Sequence, residues 1–143
     1  MRVSEAMTAK AEYVAPDTTL RKAAELMRNL DCGFLPVSNE EREKLGGVVT
    51  DRDITVRAVA EGLNPDTTMV SEIMSKGVSY CFAGDDLESA SQHMRDKGIY
   101  RLIVLDDREN KNLAGILSLG DILRHDQEQL AASTAKDIAS QAA

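Results

Sequence analysis

The sequence contains no tryptophan, and its aromatic side chains are three tyrosines and two phenylalanines. A core organised around large rings is therefore excluded. It must be assembled from Val, Ile, Leu, Met and Ala, which dominate the 43% apolar fraction. Cationic side chains are also scarce: 17 Lys and Arg face 24 Asp and Glu, for a net charge of −7. Binding to DNA or RNA relies on Lys and Arg neutralising phosphates, so no nucleic-acid partner is expected. An anionic membrane surface is disfavoured for the same reason. One small anion is still admitted, because a site needs only local positive potential. Cysteine occurs twice, and Cys32 and Cys81 read as small apolar residues, not as a disulfide. With His93 and His125 they form no zinc spacing, so no metal is expected. No window approaches the roughly 18 apolar residues of a membrane span. Met1 to Lys10 lack a secretory apolar stretch, and a cytoplasmic location is expected.

What the chain does contain is a copy of itself. Val3-Ser4-Glu5-Ala6-Met7 returns as Val70-Ser71-Glu72-Ile73-Met74, an offset of 67 residues. At that offset Tyr13 matches Tyr80, Leu20 matches Leu87, Met27-Arg28 matches Met94-Arg95, and Val37 matches Val104. One inserted residue moves the offset to 68, after which Gly47 matches Gly115 and Asp53-Ile54 matches Asp121-Ile122. The chain thus divides into repeat 1 (1–61), a turn-rich linker (62–67), repeat 2 (68–126) and a tail (127–143). A unit of about 60 residues is marginal alone. The pair is therefore the expected folding domain.

Each repeat reads as β-α-β-β-α. Short strands are predicted over Ala11 to Val14 and Val78 to Phe82. Amphipathic helices follow, with Leu20, Ala23, Ala24, Met27 and Leu30 on one face of the first, and Leu87, Ala90, Ser91 and Met94 in the second. Asp85 with Glu88 reads as the cap of the second helix, and Gly33 and Gly98 as the two helix ends. Strand pairs are predicted over Phe34 to Ser38 with Leu45 to Thr50, and Arg101 to Leu105 with Leu113 to Ser118. The loops Asn39 to Lys44 and Asp106 to Asn112 are polar. Closing helices are predicted from Asp51 to Glu61, and from Leu119 into the tail. In the Ala-rich tail, Leu130, Thr134 and Ile138 form a thin stripe compatible with a helix, a dimer contact or disorder.

The segments richest in chemistry are Gly47-Val48-Val49-Thr50-Asp51-Arg52-Asp53 and Gly115-Ile116-Leu117-Ser118-Leu119-Gly120-Asp121. Each reads Gly, two apolar residues, a hydroxyl, two variable positions and Asp, where a strand hands over to a helix. Two readings share this pattern. A hydroxyl followed three positions later by an acid is a helix N-cap. The same geometry offers free N–H groups to a phosphate and a carboxylate to two ribose hydroxyls. Occurrence at equivalent places in a repeat favours the second reading.

The order and duplication of these pieces resemble the CBS (cystathionine β-synthase) domain family, specifically a stand-alone bacterial pair. Ala15-Pro16-Asp17-Thr18-Thr19-Leu20 and Leu35-Pro36-Val37 add to the resemblance, which spans residues 3 to about 125. It implies an α/β (α+β) fold of two β-α-β-β-α units packed by their sheets with pseudo-two-fold symmetry. It also implies clefts that take AMP, ADP or ATP, and less commonly NAD(H) or S-adenosylmethionine, with association into homodimers. Carried onto this sequence, the ligand-contacting hydroxyls and acids are Thr50 with Asp53, and Ser118 with Asp121. Repeat 2 departs from repeat 1 by having Ile103 for Pro36, Ala83 for Pro16 and Gly120 for Arg52.

Four cations are further candidates for holding phosphate: Arg52 beside the first motif, Arg101 at the head of an apolar strand, and Lys10 and Lys76 after the short leading helices. Each also reads as an ordinary exposed cation. Arg57 and His125 stand four residues after the motif acids, a spacing that suits a helix-stabilising pair. Met7, Met27, Met74 and Met94 suit core filling. No nucleophile–base pattern, metal cluster or phosphate loop points to catalysis. The sequence therefore predicts a non-enzymatic regulatory module with an adenosine nucleotide as ligand, no required cofactor and a protein partner that it does not name. The alternative is a dimerising interaction module with vestigial clefts.

Overall fold

The computed structural model describes residues 1–39, 45–125 and 127–141. Most of the loop expected over Asn39 to Lys44, residue 126 and the last two residues of the tail lie outside them. Helices and strands alternate as the α/β (α+β) reading expects, within two compact units. One unit consists of Met1–Ala11 with Ser79–Ala143, and the other of Glu12–Val78. These spatial units are offset from the sequence repeats: each takes the leading segment of the other repeat.

The first unit holds α1 (Val3–Ala6), β1 (Thr8–Ala9), β4 (Tyr80–Phe82), α4 (Leu87–Lys97), β5 (Arg101–Leu105), β6 (Leu113–Ser118), α5 (Leu119–Arg124) and α6 (Glu128–Gln141). Its sheet runs β1-β6-β5-β4, with β4 parallel to β5 and the other pairs antiparallel. Val3 and Ala6 of α1 pack with Leu87, Met94, Leu102 and Leu117 in one core. Burying a side chain of the Leu or Ile class contributes roughly 1.5–3 kcal/mol, so this unit depends on residues at both ends of the chain.

The second unit holds α2 (Leu20–Leu30), β2 (Phe34–Ser38), β3 (Leu45–Thr50), α3 (Asp51–Asp53) continuing as a π-helical stretch (Ile54–Val59), and a 3-10 turn (Val70–Glu72). Val70 and Ile73, from the head of repeat 2, sit in its core with Leu20, Met27, Leu35 and Val49. Here β2 and β3 form an antiparallel pair, flanked by single bridges from Val14 to Val37 and from Ser75 to Val48. The strand expected over Ala11 to Val14 is thus reduced to one bridge. The cause is Pro36. Its equivalent, Ile103, donates its N–H to Ser79 O at 3.3 Å and lengthens the parallel ladder, whereas proline has no N–H to give.

Local capping corrects several expectations. The N-cap of α4 is Asp86, whose carboxylate accepts Glu88 N–H at 3.1 Å, while Asp85 accepts Phe82 N–H at 3.0 Å. Gly98 ends α4 at φ 66°, as expected, but Asp31 ends α2 at φ 53°. Gly33 serves close packing instead: a Cβ there would lie 2.5 Å from the Asp51 carboxylate. The last helix is not continuous with the tail. It ends at Arg124, where His125 Nδ1 lies 2.8 Å from Asp121 O and occupies a terminal carbonyl. The tail itself is α6, with Ala131, Thr134 and Ile138 buried and Asp137 paired to Arg95 of α4. Among the described residues no helix is long and apolar enough to cross a membrane.

Candidate functional site

Both motifs begin at a glycine that another backbone crosses. A Cβ on Gly47 would fall 2.5 Å from Ser75 O, and one on Gly115 would fall closer still to Thr8 O. Without side chains at these positions, Ser75 pairs beside Val48 and Thr8 beside Ile116. Each leading segment thereby delivers its hydroxyl residue to the end of a motif strand.

In the second unit Thr50 is extended and closes β3. Its Oγ1 accepts Asp53 N–H at 3.0 Å, and its own N–H donates to Asp53 Oδ2 at 3.0 Å. This is the reciprocal capping box that the spacing predicted. Asp53 is buried. Ser75 Oγ stands 3.4 Å from its Oδ1, and Arg57 Nε stands 3.8 Å away while that guanidinium also donates to Ile73 O at 3.2 Å.

The first unit repeats the arrangement with shorter bonds to the carboxylate. Ser118 N–H donates to Asp121 Oδ2 at 2.8 Å, Ser118 Oγ lies 2.9 Å from the same oxygen, and Asp121 N–H returns to Ser118 Oγ at 3.1 Å. Thr8 Oγ1 donates to Asp121 Oδ1 at 3.1 Å, and the Arg124 guanidinium pairs with that oxygen. Asp121 is 4% exposed. His125, expected to pair with the Asp121 side chain, meets its backbone carbonyl instead, and the ion pair goes to Arg124.

The candidate cations fall at graded distances from these centres. Arg101 lies opposite Ser118 in the β5–β6 register and is exposed. Arg52 is exposed beside Thr50, on an open groove of about 330 Å³ shared with Asp51, Thr55 and Val56. Lys76 is exposed next to Ser75. Lys10, at φ 53°, donates its N–H to Ala114 O and so stands toward the opposite end of β6 from Ser118.

Sequence reasoning missed Thr8, Ser75 and Arg124. The first two were signalled: a hydroxyl follows Val-Ser-Glu-x-Met in both repeats. Chemically, each centre is a buried carboxylate oriented by backbone and hydroxyl donors, suited to accepting hydrogen bonds from a diol. Among the described residues no cluster of three or more metal-ligating side chains occurs.

Comparison with known proteins gives the same organisation. The CBS domain profile matches residues 3–59 and again 70–128. The CBS domain-containing protein YhcV of Bacillus subtilis is 39% identical over 120 residues, covering 84% of this chain and 81% of YhcV. The crystal structure of Hypoxic Response Protein I with two coordinated zinc ions superposes with a TM-score of 0.77 at 30% identity, covering 87% of this chain and 98% of that one. The structure of CBSX2 in complex with AMP gives a TM-score of 0.74 at 26% identity, over 90% and 97% of the two chains. Two profile matches coincide with the internal repeat and take in both hydroxyl–acid motifs, so the chain belongs to the CBS domain family and carries two copies of the domain.

Proposed function

We propose that the chain is a non-catalytic regulatory module that binds an adenosine nucleotide (AMP, ADP or ATP, ahead of NAD(H) or S-adenosylmethionine) and signals its level to a protein partner. The observation that carries this reading is the doubled centre: Thr50, Asp53 and Ser75 in one unit, and Ser118, Asp121 and Thr8 in the other. A buried, pre-oriented carboxylate is matched to the two hydroxyls of a ribose, and a flanking hydroxyl suits a further polar contact. Arg52 and Lys76 would supply charge for phosphate in one unit, and Arg101 in the other. CBSX2, a structural relative, was solved with AMP. Signalling would follow from unequal ligand affinity for two conformations of the protein.

The test is thermal melting against a panel of AMP, ADP, ATP, NADH and S-adenosylmethionine. A ligand at 100 times its Kd stabilises by about 2.7 kcal/mol. One member should therefore raise the melting temperature, and Asp53→Ala should diminish the rise. A flat panel would reject the reading.

A second reading, a dimerising interaction module with vestigial clefts, draws on apolar exposure after the first motif. Val56 and Val59 are 45% and 68% exposed. It expects a homodimer in light scattering that Val59→Glu weakens, with partner capture indifferent to nucleotides.

A further inference from the structure

The two carboxylates are not equally available. A carboxylate offers about four acceptor positions. Among the described residues Asp121 receives four donors: Ser118 N–H and Oγ on Oδ2, and the Thr8 hydroxyl and the Arg124 guanidinium on Oδ1. Among the described residues Asp53 receives one short bond, from Thr50 N–H at 3.0 Å, with Ser75 Oγ 3.4 Å from Oδ1 and 3.5 Å from Oδ2 and Arg57 Nε 3.8 Å from Oδ1. Arg57 is committed elsewhere, to the carbonyls of Ile73 and Met74.

The difference traces to two positions. Arg124 corresponds in repeat 1 to Val56, which has no charge to offer. Gly120 corresponds to Arg52, and a Cβ at Gly120 would lie 3.2 Å from Arg124 Nη1. The bare glycine leaves room for the arginine to fold back onto the acid. The Arg124 side chain is itself 66% exposed, so the contact is one that a competing donor can displace.

We infer that Arg124 is a built-in occupant of the second ligand site: it takes the acceptor position on Asp121 Oδ1 that a ribose hydroxyl would use, leaving the Asp53 centre as the one that fills first. This rests on the nucleotide reading above and adds an order of filling to it. An internal competitor lowers apparent affinity by the fraction of time it occupies the site. An ion pair this exposed is weak, so removing it should tighten the Asp121 site by up to about fivefold.

The experiment is calorimetric titration of the full chain with AMP, with melting curves confirming that each variant is folded. The wild type should bind one AMP tightly and a second several-fold more weakly, and Asp53→Asn should remove the tight one. Arg124→Ala should tighten the second AMP several-fold, and Arg124→Gln, which keeps most of the side chain's bulk, should do the same. That second AMP should vanish in the Arg124→Ala, Asp121→Asn double variant. Two equal sites in the wild type, a tight site that survives Asp53→Asn, or Arg124 variants whose second AMP is unchanged or lost would overturn the inference while leaving nucleotide binding intact. No AMP bound by the wild type or by either Arg124 variant would reject AMP as the ligand, and this inference with it.

Discussion

Thr8 Oγ1 donates a 3.1 Å hydrogen bond to Asp121 Oδ1, joining positions 113 residues apart in the chain. The equivalent bond from Ser75 Oγ to Asp53 is 3.4 Å, near the limit for such an interaction. A hydrogen bond to a charged group contributes about 1.5–3 kcal/mol when well formed, and less when long or exposed. Thr8→Val keeps the shape and the β preference while deleting the donor. It should cost about 1 kcal/mol in urea unfolding, with Ser75→Ala costing less than half of that. The reverse ranking would mean that the two hydroxyls do not differ as their distances indicate.

The motif glycines lead to a larger effect. Gly47 and Gly115 sit where a second backbone crosses, and an added methyl would collide with the carbonyl of Ser75 or Thr8. A backbone carbonyl cannot rotate away as a flexible side chain can. Forced overpacking typically costs about 1–3 kcal/mol. Gly47→Ala and Gly115→Ala should therefore each lower thermal stability, and each should push the neighbouring hydroxyl away from its acid. Gly77→Ala is the control, since nothing lies within 4 Å of a Cβ there. Equal melting temperatures for all three variants would contradict the close approach.

What was legible in the sequence was local or repeated. The capping boxes at Thr50 and Ser118 depend on a three-residue spacing, and both form as read. The stripe on the tail reappears in α6 with Thr134 and Ile138 buried. What was not legible depended on distant partners. Hydrophobic periodicity says which face of a segment is buried but not against what, so it could not assign Val3 to a core with repeat 2, or Val70 to one with repeat 1. The missing donor of Pro36 acts on a strand some twenty residues earlier. Asp85 and Asp86 are adjacent equivalents, and only three-dimensional pairing decides that one caps the helix and the other holds Phe82 N–H. Arg124 escaped notice because repeat 1 has no counterpart to compare.

The offset between repeats and spatial units is itself testable in the intact chain. Val3 and Val70 are both fully buried, each in the unit built mainly from the other repeat. Removing two methyl groups from a packed core costs about 1–3 kcal/mol. In native-state hydrogen exchange, Val3→Ala should lower protection of β5 and β6 amides, and Val70→Ala that of β2 and β3. If each variant instead loosened the strands of its own repeat, the division into units would be wrong.

The two thiols should behave oppositely. Cys32 is exposed, whereas Cys81 is buried in β4. Burial, helped by the nearby Asp85 charge, pushes the Cys81 thiol from 9.0 up to about 12. A disulfide-exchange reagent should modify Cys32 in the native protein and reach Cys81 only on unfolding. The same shift sets an alkaline limit. Between pH 9 and pH 12 the unfolded chain loses the Cys81 proton while the folded chain keeps it, so the unfolded state binds fewer protons and stability falls as pH rises. Below pH 9 both states hold the proton and the contribution is constant. The slope in that window approaches about 1.4 kcal/mol per pH unit. The decisive comparison is with Cys81→Ala, whose stability should decline less steeply above pH 9. Parallel declines in the two proteins would show that the buried thiol does not set the alkaline limit.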